Sequence, residues 1–318
     1  MQNRSPAVAI MAVVATWFAA GTACSPNERV ADEPFPVAEE LMAADRAFAR
    51  ASAERGAEAW TEVFAARGLM YGSGESPAIG PLEAGRSVSG VVDRLRWEPT
   101  SSGMLWPGTL GYTVGRWWLA PGTGDPGADG PRYLTVWQRV GDEWKVALDL
   151  SLPAPGDTGA AHDFDFWLGD WTLAQRIWSG DGNQFEPYAA RNQVRAVEGD
   201  GALIETFEGE VRFFWLGMPK PQQMRGASIR VYNPDSRQWR IFWIDTLDPK
   251  FGAPFSGDFS GVAGEFVQSD RPAGIPPSRI RFEPHTEGTV DWELAIRTPD
   301  GKDWQRLWTI EFRRGDEI

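Results

Sequence analysis

Near the start of the chain, apolar side chains recur at three- and four-residue intervals, the spacing that lines one face of an α-helix. The apolar face of this predicted helix consists of Val37, Leu41, Ala44, Phe48 and Ala51. The charged face consists of Glu39, Glu40, Asp45, Arg46 and Arg50. Further helices are predicted over 57–66 and 81–94, so the first part of the chain begins as a helical segment.

Farther along, the apolar positions alternate, as in strands with one buried face. Three strands are predicted over 112–119, 133–140 and 144–151, with a hairpin turn at Gly141 and Asp142. Past residue 161 the helical period disappears. Ten short strands are predicted there, over 171–178, 191–197, 202–207, 211–214, 227–232, 239–246, 264–268, 279–283, 290–298 and 305–313. The order predicts an α+β domain followed by an all-β antiparallel barrel or sandwich.

The first 24 residues predict export. A single charged residue, Arg4, precedes an uncharged apolar or small-residue run over 6–23, as in a secretory signal. The run ends at Gly21 to Ser25 (GTACS), which resembles a bacterial lipobox, although Gly21 stands where a leucine is usual. Cys24 is therefore the predicted lipidation site, and Ser25 after it resembles the outer-membrane sorting signal of lipoproteins. The alternative is an uncleaved membrane anchor, since the run approaches the ~20 residues that span a bilayer.

Proline, glycine and polar residues mark the predicted boundaries. Residues 1–23 form the signal peptide, 24–36 a tether, 37–151 the first domain, 152–161 a Pro/Gly-rich linker (LPAPGDTGAA) and 162–318 the second domain. The length of 318 residues suits two domains of roughly 100–150 residues each.

The net charge and the scarcity of cysteine and histidine argue against several kinds of partner and site. A net charge of −13 disfavours nucleic-acid partners and adhesion to anionic lipid. The one cysteine permits no intramolecular disulfide or thiolate cluster, and two histidines are too few for a histidine-rich metal site. Neither His162 nor His285 lies near a nucleophile elbow. We therefore expect no metal and no cofactor.

The first domain resembles the nuclear transport factor 2-like superfamily, and more narrowly its SnoaL-like branch. The resemblance rests on Asp45 to Phe48 (DRAF), the helix with Trp60 and Phe64, Leu110 to Gly115 (LGYTVG) and Trp137 to Val146 (WQRVGDEWKV). It implies an α+β cone, a bent sheet wrapped around helices with a pocket at its open end. A homodimer through this sheet is a further expectation.

The second domain opens on Phe164 to Trp171 (FDFWLGDW), similar to the Gly-x-Trp start of calycin-type barrels and of an uncharacterised bacterial barrel family. Trp239 to Asp245 (WRIFWID) supports the same resemblance. In calycins a late arginine stacks on this tryptophan as a structural lock. The resemblance therefore implies that Arg306 or Arg313 covers Trp171.

Asp149 is the catalytic candidate of the first domain. Alternation along its strand places Trp144, Val146 and Leu148 on one face, and Lys145, Ala147 and Asp149 on the other. The resemblance implies that Asp149 points into the cone pocket, where a proton-shuttling Asp would need Tyr112 or Tyr133 as a donor. The alternative is a carboxylate that only hydrogen-bonds a neighbouring loop.

Ligand-binding candidates in the second domain lie on paired strands. Trp239, Trp243 and Asp245 share one strand face, and Arg230 lies on the face of the hairpin partner. Aromatic rings with a few polar groups are typical of a small-molecule cavity, but also of a packed core with a cation–π contact.

Three functions stay open. The leading one is an exported, lipid-anchored protein that faces the periplasm, held to the membrane only by its anchor, and binds small apolar or amphipathic ligands. The alternatives are an isomerase, cyclase or hydrolase that uses Asp149 as a base, and a structural or envelope-assembly protein with filled interiors.

Overall fold

The structure is a computed structural model that describes residues 36–72, 76–120, 130–153, 162–180, 184–197, 201–268 and 275–315. The boundary between two compact units falls at residue 162. We call residues 36–153 the sheet unit and residues 162–315 the barrel unit. The predicted signal peptide, Cys24 and most of the predicted linker lie outside the described residues.

The sheet unit is a mixed α+β structure. Its helices are α1 (Pro36–Arg55), α2 (Ala57–Val63) and α3 (Gly80–Val88). Its strands are β1 (Phe64–Tyr71), β2 (Ala78–Ile79), β3 (Leu95–Trp106), β4 (Leu110–Leu119), β5 (Arg132–Val140) and β6 (Glu143–Leu152). The strand order is β2-β1-β6-β5-β4-β3, and the β1–β6 pair is parallel while the other pairs are antiparallel.

Three strands of this sheet, β1, β2 and β3, were not predicted. Phe64 was expected in the second helix, but it pairs with Val146 at the start of β1, because non-local pairing overrides a local helical pattern. The third predicted helix ends at Val88, and the chain then enters β3. Pro99 interrupts the apolar pattern of β3, and it is tolerated because β3 is an edge strand with an irregularity at that point.

Aromatic rings fill the space between the helices and the sheet. Phe48 of α1 lies 4.9 Å from both Trp60 and Trp97 and 6.4 Å from Trp137, each with edge-on geometry. All four rings are buried. This cluster fixes α1 against the sheet, mainly over the edge strand β3, and so positions the polar side chains that α1 also carries.

Ten strands of the described barrel unit close into an antiparallel barrel. They are β7 (Gly169–Trp178), β8 (Phe185–Ala196), β9 (Ala202–Val211), β10 (Gln222–Asn233), β11 (Gln238–Asp245), β12 (Phe255–Ser260), β13 (Ala263–Gln268), β14 (Ser278–Pro284), β15 (Val290–Arg297) and β16 (Trp304–Arg314). The strand predicted over 211–214 is instead the end of β9 and the approach to a 3₁₀ turn, and β12 was missed.

The segment before β7 closes one end of the barrel with rings. Phe164 is fully buried and packs edge-on against Trp239 at 5.0 Å and Phe282 at 5.3 Å. A 3₁₀ helix, Asp165–Trp167, then brings Trp167 parallel to Trp171 at 5.3 Å. We call the rings at this end, those of Phe164, Trp167, Trp171, Trp239 and Phe282, the aromatic floor.

The arginine that covers Trp171 is Arg314, not Arg306 or Arg313. Its guanidinium lies 4.2 Å from the Trp171 ring centroid and donates to the carbonyls of Leu168 and Phe166. The strand register explains the choice, because Arg314 is the residue paired with Trp171. Arg306 pairs instead with Ala295, and Arg313 with Thr172.

Gly169 makes this lock possible. Its φ of +127° lies in a region that other residues avoid, and a Cβ there would lie 2.4 Å from Nη1 of Arg314.

Within the described ranges, none of the helices combines the length and apolar character needed to cross a membrane.

Trp171 and Trp243 should differ in their contribution to stability. Trp171→Ala should lower the free energy of unfolding by about 3–5 kcal/mol, because a buried, stacked ring is lost. Trp243→Ala should cost about 1–2 kcal/mol, because that ring is only partly buried. Calorimetry of both variants in the full chain measures the difference, and equal, severe losses would show that both rings belong to one filled core.

Candidate functional site

A row of polar side chains crosses the helix-facing side of the sheet. Ser102, Thr113, Thr135 and Asp149 are successive cross-strand partners on β3, β4, β5 and β6. Directly opposite residues on neighbouring strands point to the same face. The row therefore lies under α1, beside the aromatic cluster.

A bulge decides which way Asp149 points. Val136 pairs with Leu148 and Trp137 with Val146, so β6 carries one extra residue, Ala147. The extra residue reverses the alternation. Val146 and Asp149 therefore share the helix-facing side, and the predicted placement of Val146 on the face opposite Asp149 is wrong.

Asp45 is the principal polar residue beneath α1, although the sequence pattern places it on the charged face of that helix. It is 1% exposed. Its carboxylate accepts hydrogen bonds from Nε1 of Trp97 at 2.7 Å and from the Tyr133 hydroxyl at 2.8 Å, and Thr113 is a third partner. Burial raises the pKa of Asp45, and these hydrogen bonds counteract the rise.

Asp149 has fewer partners. The residue as a whole is partly exposed, and its carboxylate accepts a hydrogen bond from Thr135 at 2.5 Å. Burial raises the pKa of Asp149 to about 7, and the nearby charge of Asp45 adds to the rise. An aspartate with this pKa exchanges a proton near neutral pH, which is the property a general base needs.

The two tyrosine candidates lie on opposite faces. Tyr133 is on the side of Asp149, but its hydroxyl donates to Asp45. Burial and the Asp45 charge raise the pKa of Tyr133 far above its usual range. Tyr112 pairs with Gly103 and Val136 on the other face, so it cannot reach Asp149. Burial raises the pKa of Tyr112 as well.

The predicted ligand residues on β11 lie at different depths of the barrel. Trp239 is fully buried and belongs to the aromatic floor. Trp243 is half-buried, and Gly226 leaves room for its ring, since a Cβ on Gly226 would lie 2.1 Å from that ring. These positions place Trp243 toward the opposite end of the barrel from the floor.

Asp245 is engaged by its own turn. Its carboxylate accepts from Nε1 of Trp243 at 2.8 Å and from the backbone N–H groups of Leu247 and Asp248 at 2.8 and 3.0 Å. Burial raises the pKa of Asp245, and these bonds oppose the rise. Asp245 therefore caps the turn after β11 and orients Trp243.

Arg230 forms an ion pair with Glu205 inside the barrel. The two side chains are 3% and 7% exposed. Glu205 also accepts from Nδ2 of Asn192 at 2.6 Å and from the Ser228 hydroxyl at 2.8 Å. We call these four residues, Asn192, Glu205, Ser228 and Arg230, the interior polar cluster.

The guanidinium of Arg230 lies on the aromatic floor. Its central carbon is 5.2 Å from the Phe164 ring, 5.5 Å from that of Trp167 and 5.4 Å from that of Phe282. Burial lowers the pKa of Arg230, and the Glu205 charge opposes this. Rings and carboxylate together hold the guanidinium in one place.

Several polar atoms around this cluster have no hydrogen-bond partner among the described residues. They are Nε and Nη1 of Arg230, Oδ1 of Asn192 and Nε1 of Trp167. Buried polar atoms are nearly always satisfied in folded proteins. The interior polar cluster is therefore suited to hold a further polar group.

Sequence reasoning found Arg230 but missed its partners. Glu205 and Asn192 lie on strands that were predicted, but with no indication of which strands meet. One signal was available for Asp45, because it falls four residues after Leu41 and three before Phe48, within the buried stripe of α1.

The described residues contain no cluster of potential metal ligands.

No family model matches the chain, and no curated protein matches it. Solved structures are similar to parts of the chain at low TM-scores, and three of them illustrate this. An NTF-2 like protein of unknown function from Shewanella oneidensis MR-1 is 15% identical, with a TM-score of 0.30, over 36% of this chain and 96% of its own. A domain of unknown function with a cystatin-like fold from Nostoc punctiforme PCC 73102 is 17% identical, with a TM-score of 0.30, over 36% and 74%.

The third structure is the S-type phycobiliprotein lyase CPES from Guillardia theta. It is 10% identical, with a TM-score of 0.35, over 51% of this chain and 96% of its own. At these levels the similarities carry no information about activity or ligand.

Asp149 should make stability depend on pH. Its pKa is raised from 3.8 to about 7 in the folded chain, so its protonated form favours folding. That contribution is complete below about pH 4 and is lost as the pH rises through about 7. Asp149→Asn, which stays neutral, should remove this loss in urea unfolding between pH 4 and 8.

The exposed Asp93 provides the matched control for this experiment. Asp93→Asn should reproduce the wild-type pH profile. Parallel profiles for wild type and Asp149→Asn would contradict a raised pKa at Asp149.

Proposed function

We propose that this chain is an exported, lipid-anchored protein whose barrel binds a small apolar or amphipathic molecule. The interior polar cluster carries the proposal. A buried ion pair lies on an aromatic floor, and several adjacent polar atoms lack a partner among the described residues. A barrel retained only as a packed scaffold would gain nothing from this arrangement, since unpaired buried polar atoms cost about 1–3 kcal/mol each.

The exported, lipid-anchored part of the proposal rests on the sequence. Arg4, the apolar run and Cys24 support a lipoprotein that faces the periplasm from the outer membrane.

For the fold, we propose more specifically a SnoaL-like cone of the nuclear transport factor 2-like superfamily, followed by a calycin-like barrel. A homodimer through the sheet stays a prediction.

A second candidate function is an enzyme that acts in the sheet unit. The observation in its favour is the pair of carboxylates with unequal surroundings. Asp45 has three hydrogen-bonding partners, whereas Asp149 has Thr135 and a pKa of about 7. In such a reaction Asp149 is the base, and Tyr133 acts only through Asp45. Among the described side chains only Thr135 donates to Asp149, whereas the interior polar cluster offers several unpaired polar atoms, so binding in the barrel is the leading proposal.

Native mass spectrometry of the chain purified from its own host's membranes tests the proposal. We expect a polypeptide that begins at Cys24 and carries covalent acyl groups, together with a non-covalent ligand that leaves on activation. A non-lipidated chain of all 318 residues would contradict the anchor. An acylated chain that never retains or takes up a small molecule would contradict ligand binding.

A further inference from the structure

We infer that the interior polar cluster recognises an uncharged head group with both a carbonyl oxygen and an N–H, such as an amide or lactam, on an otherwise apolar molecule. This inference rests on the proposed ligand binding in the barrel and specifies the class of ligand.

The charge balance of the cluster excludes an ionised ligand. Arg230 carries one positive charge and Glu205 one negative charge, and the two are in direct contact. A ligand carboxylate would add a second negative charge beside a single cation, in a site where little solvent is available to screen it. A ligand ammonium would meet a carboxylate that already has three partners, Asn192, Ser228 and Arg230.

The unpaired atoms require a donor and an acceptor on the same ligand. Nε and Nη1 of Arg230 and Nε1 of Trp167 are donors without an acceptor among the described residues. Oδ1 of Asn192 is an acceptor without a donor there. Its orientation follows from chemistry, because an ionised Glu205 only accepts, so the amide NH₂ of Asn192 must face it. A carboxylate would leave Oδ1 of Asn192 unpaired, and an amide would not.

The described lining of the barrel beyond the interior polar cluster is rich in aromatic rings. Farther from the floor, Phe207 packs against Trp243 at 6.2 Å and Trp308 at 5.7 Å, and Trp308 packs against Trp292 at 5.2 Å. We therefore place the head group at Arg230 and the apolar part among these rings.

A series of eight-carbon probes tests the head group on the full chain at pH 7.5, with tryptophan fluorescence as the readout. Octanamide should bind about tenfold or more tightly than octanoate and octylammonium. Octane should bind detectably but more weakly than octanamide. Equal or tighter binding of octanoate would overturn the inference while leaving ligand binding intact. Binding of none of the four would overturn both.

A single isosteric substitution should reverse the preference. Glu205→Gln leaves the Arg230 charge uncompensated, so octanoate should become the tighter ligand. Ser228→Ala removes a donor to Glu205 without changing the charge, and it should keep the preference for octanamide. If Glu205→Gln still prefers octanamide, the charge-balance argument is wrong.

The double variant Arg230→Met/Glu205→Gln guards against misfolding, because it leaves no unpaired charge in the barrel. It should bind octane as the wild type does and discriminate octanamide from octanoate by less than about threefold. Retention of the tenfold difference in this variant would place the head group elsewhere.

Discussion

The contact between Arg230 and Glu205 is the constraint on which the barrel interior depends. Removing two opposite charges from water is costly, and their attraction repays that cost only with good geometry and further hydrogen bonds. The barrel supplies part of that compensation through Asn192, Ser228 and the rings of the aromatic floor. The compensation is incomplete, because two nitrogens of Arg230 have no acceptor among the described residues. We interpret this deficit as the binding capacity of the site.

In the sheet unit, the buried carboxylate of Asp45 is fully hydrogen-bonded, in contrast to the guanidinium of Arg230 in the barrel. Three groups from the sheet surround that carboxylate, and two of them, Trp97 and Tyr133, also belong to the hydrophobic core. Such a fully satisfied group specifies how α1 sits on the sheet. Asp149 lies nearby with one side-chain partner. The two carboxylates of this unit therefore differ in how many hydrogen bonds compensate their burial.

Local patterns predicted the elements, whereas strand pairing determined the sites. Alternation located most strands of the barrel, but β12 was missed because glycine, serine and aspartate interrupt its apolar pattern, in which Phe255 and Phe259 are partly buried and only Gly257 is buried. The side of the sheet on which Asp149 lies depends on the bulge at Ala147, and no residue type in the sequence predicts that bulge. Arg230 was recognised from its own strand, but Glu205 and Asn192 meet it only through the closure of the barrel. The lock on Trp171 was expected at Arg306 or Arg313 and lies at Arg314, because register fixes it to a single residue.

We propose that the interior polar cluster exists for binding and not for stability. The most direct test of this proposal replaces the four residues together by apolar ones of similar size, Asn192→Leu, Glu205→Met, Ser228→Ala and Arg230→Met, and measures urea unfolding of the ligand-free full chain. We expect a free energy of unfolding equal to or above that of the wild type, since well-packed apolar groups often replace buried ion pairs without loss of stability. A decrease of about 3 kcal/mol or more would contradict it, because the cluster would then be a structural element of the barrel.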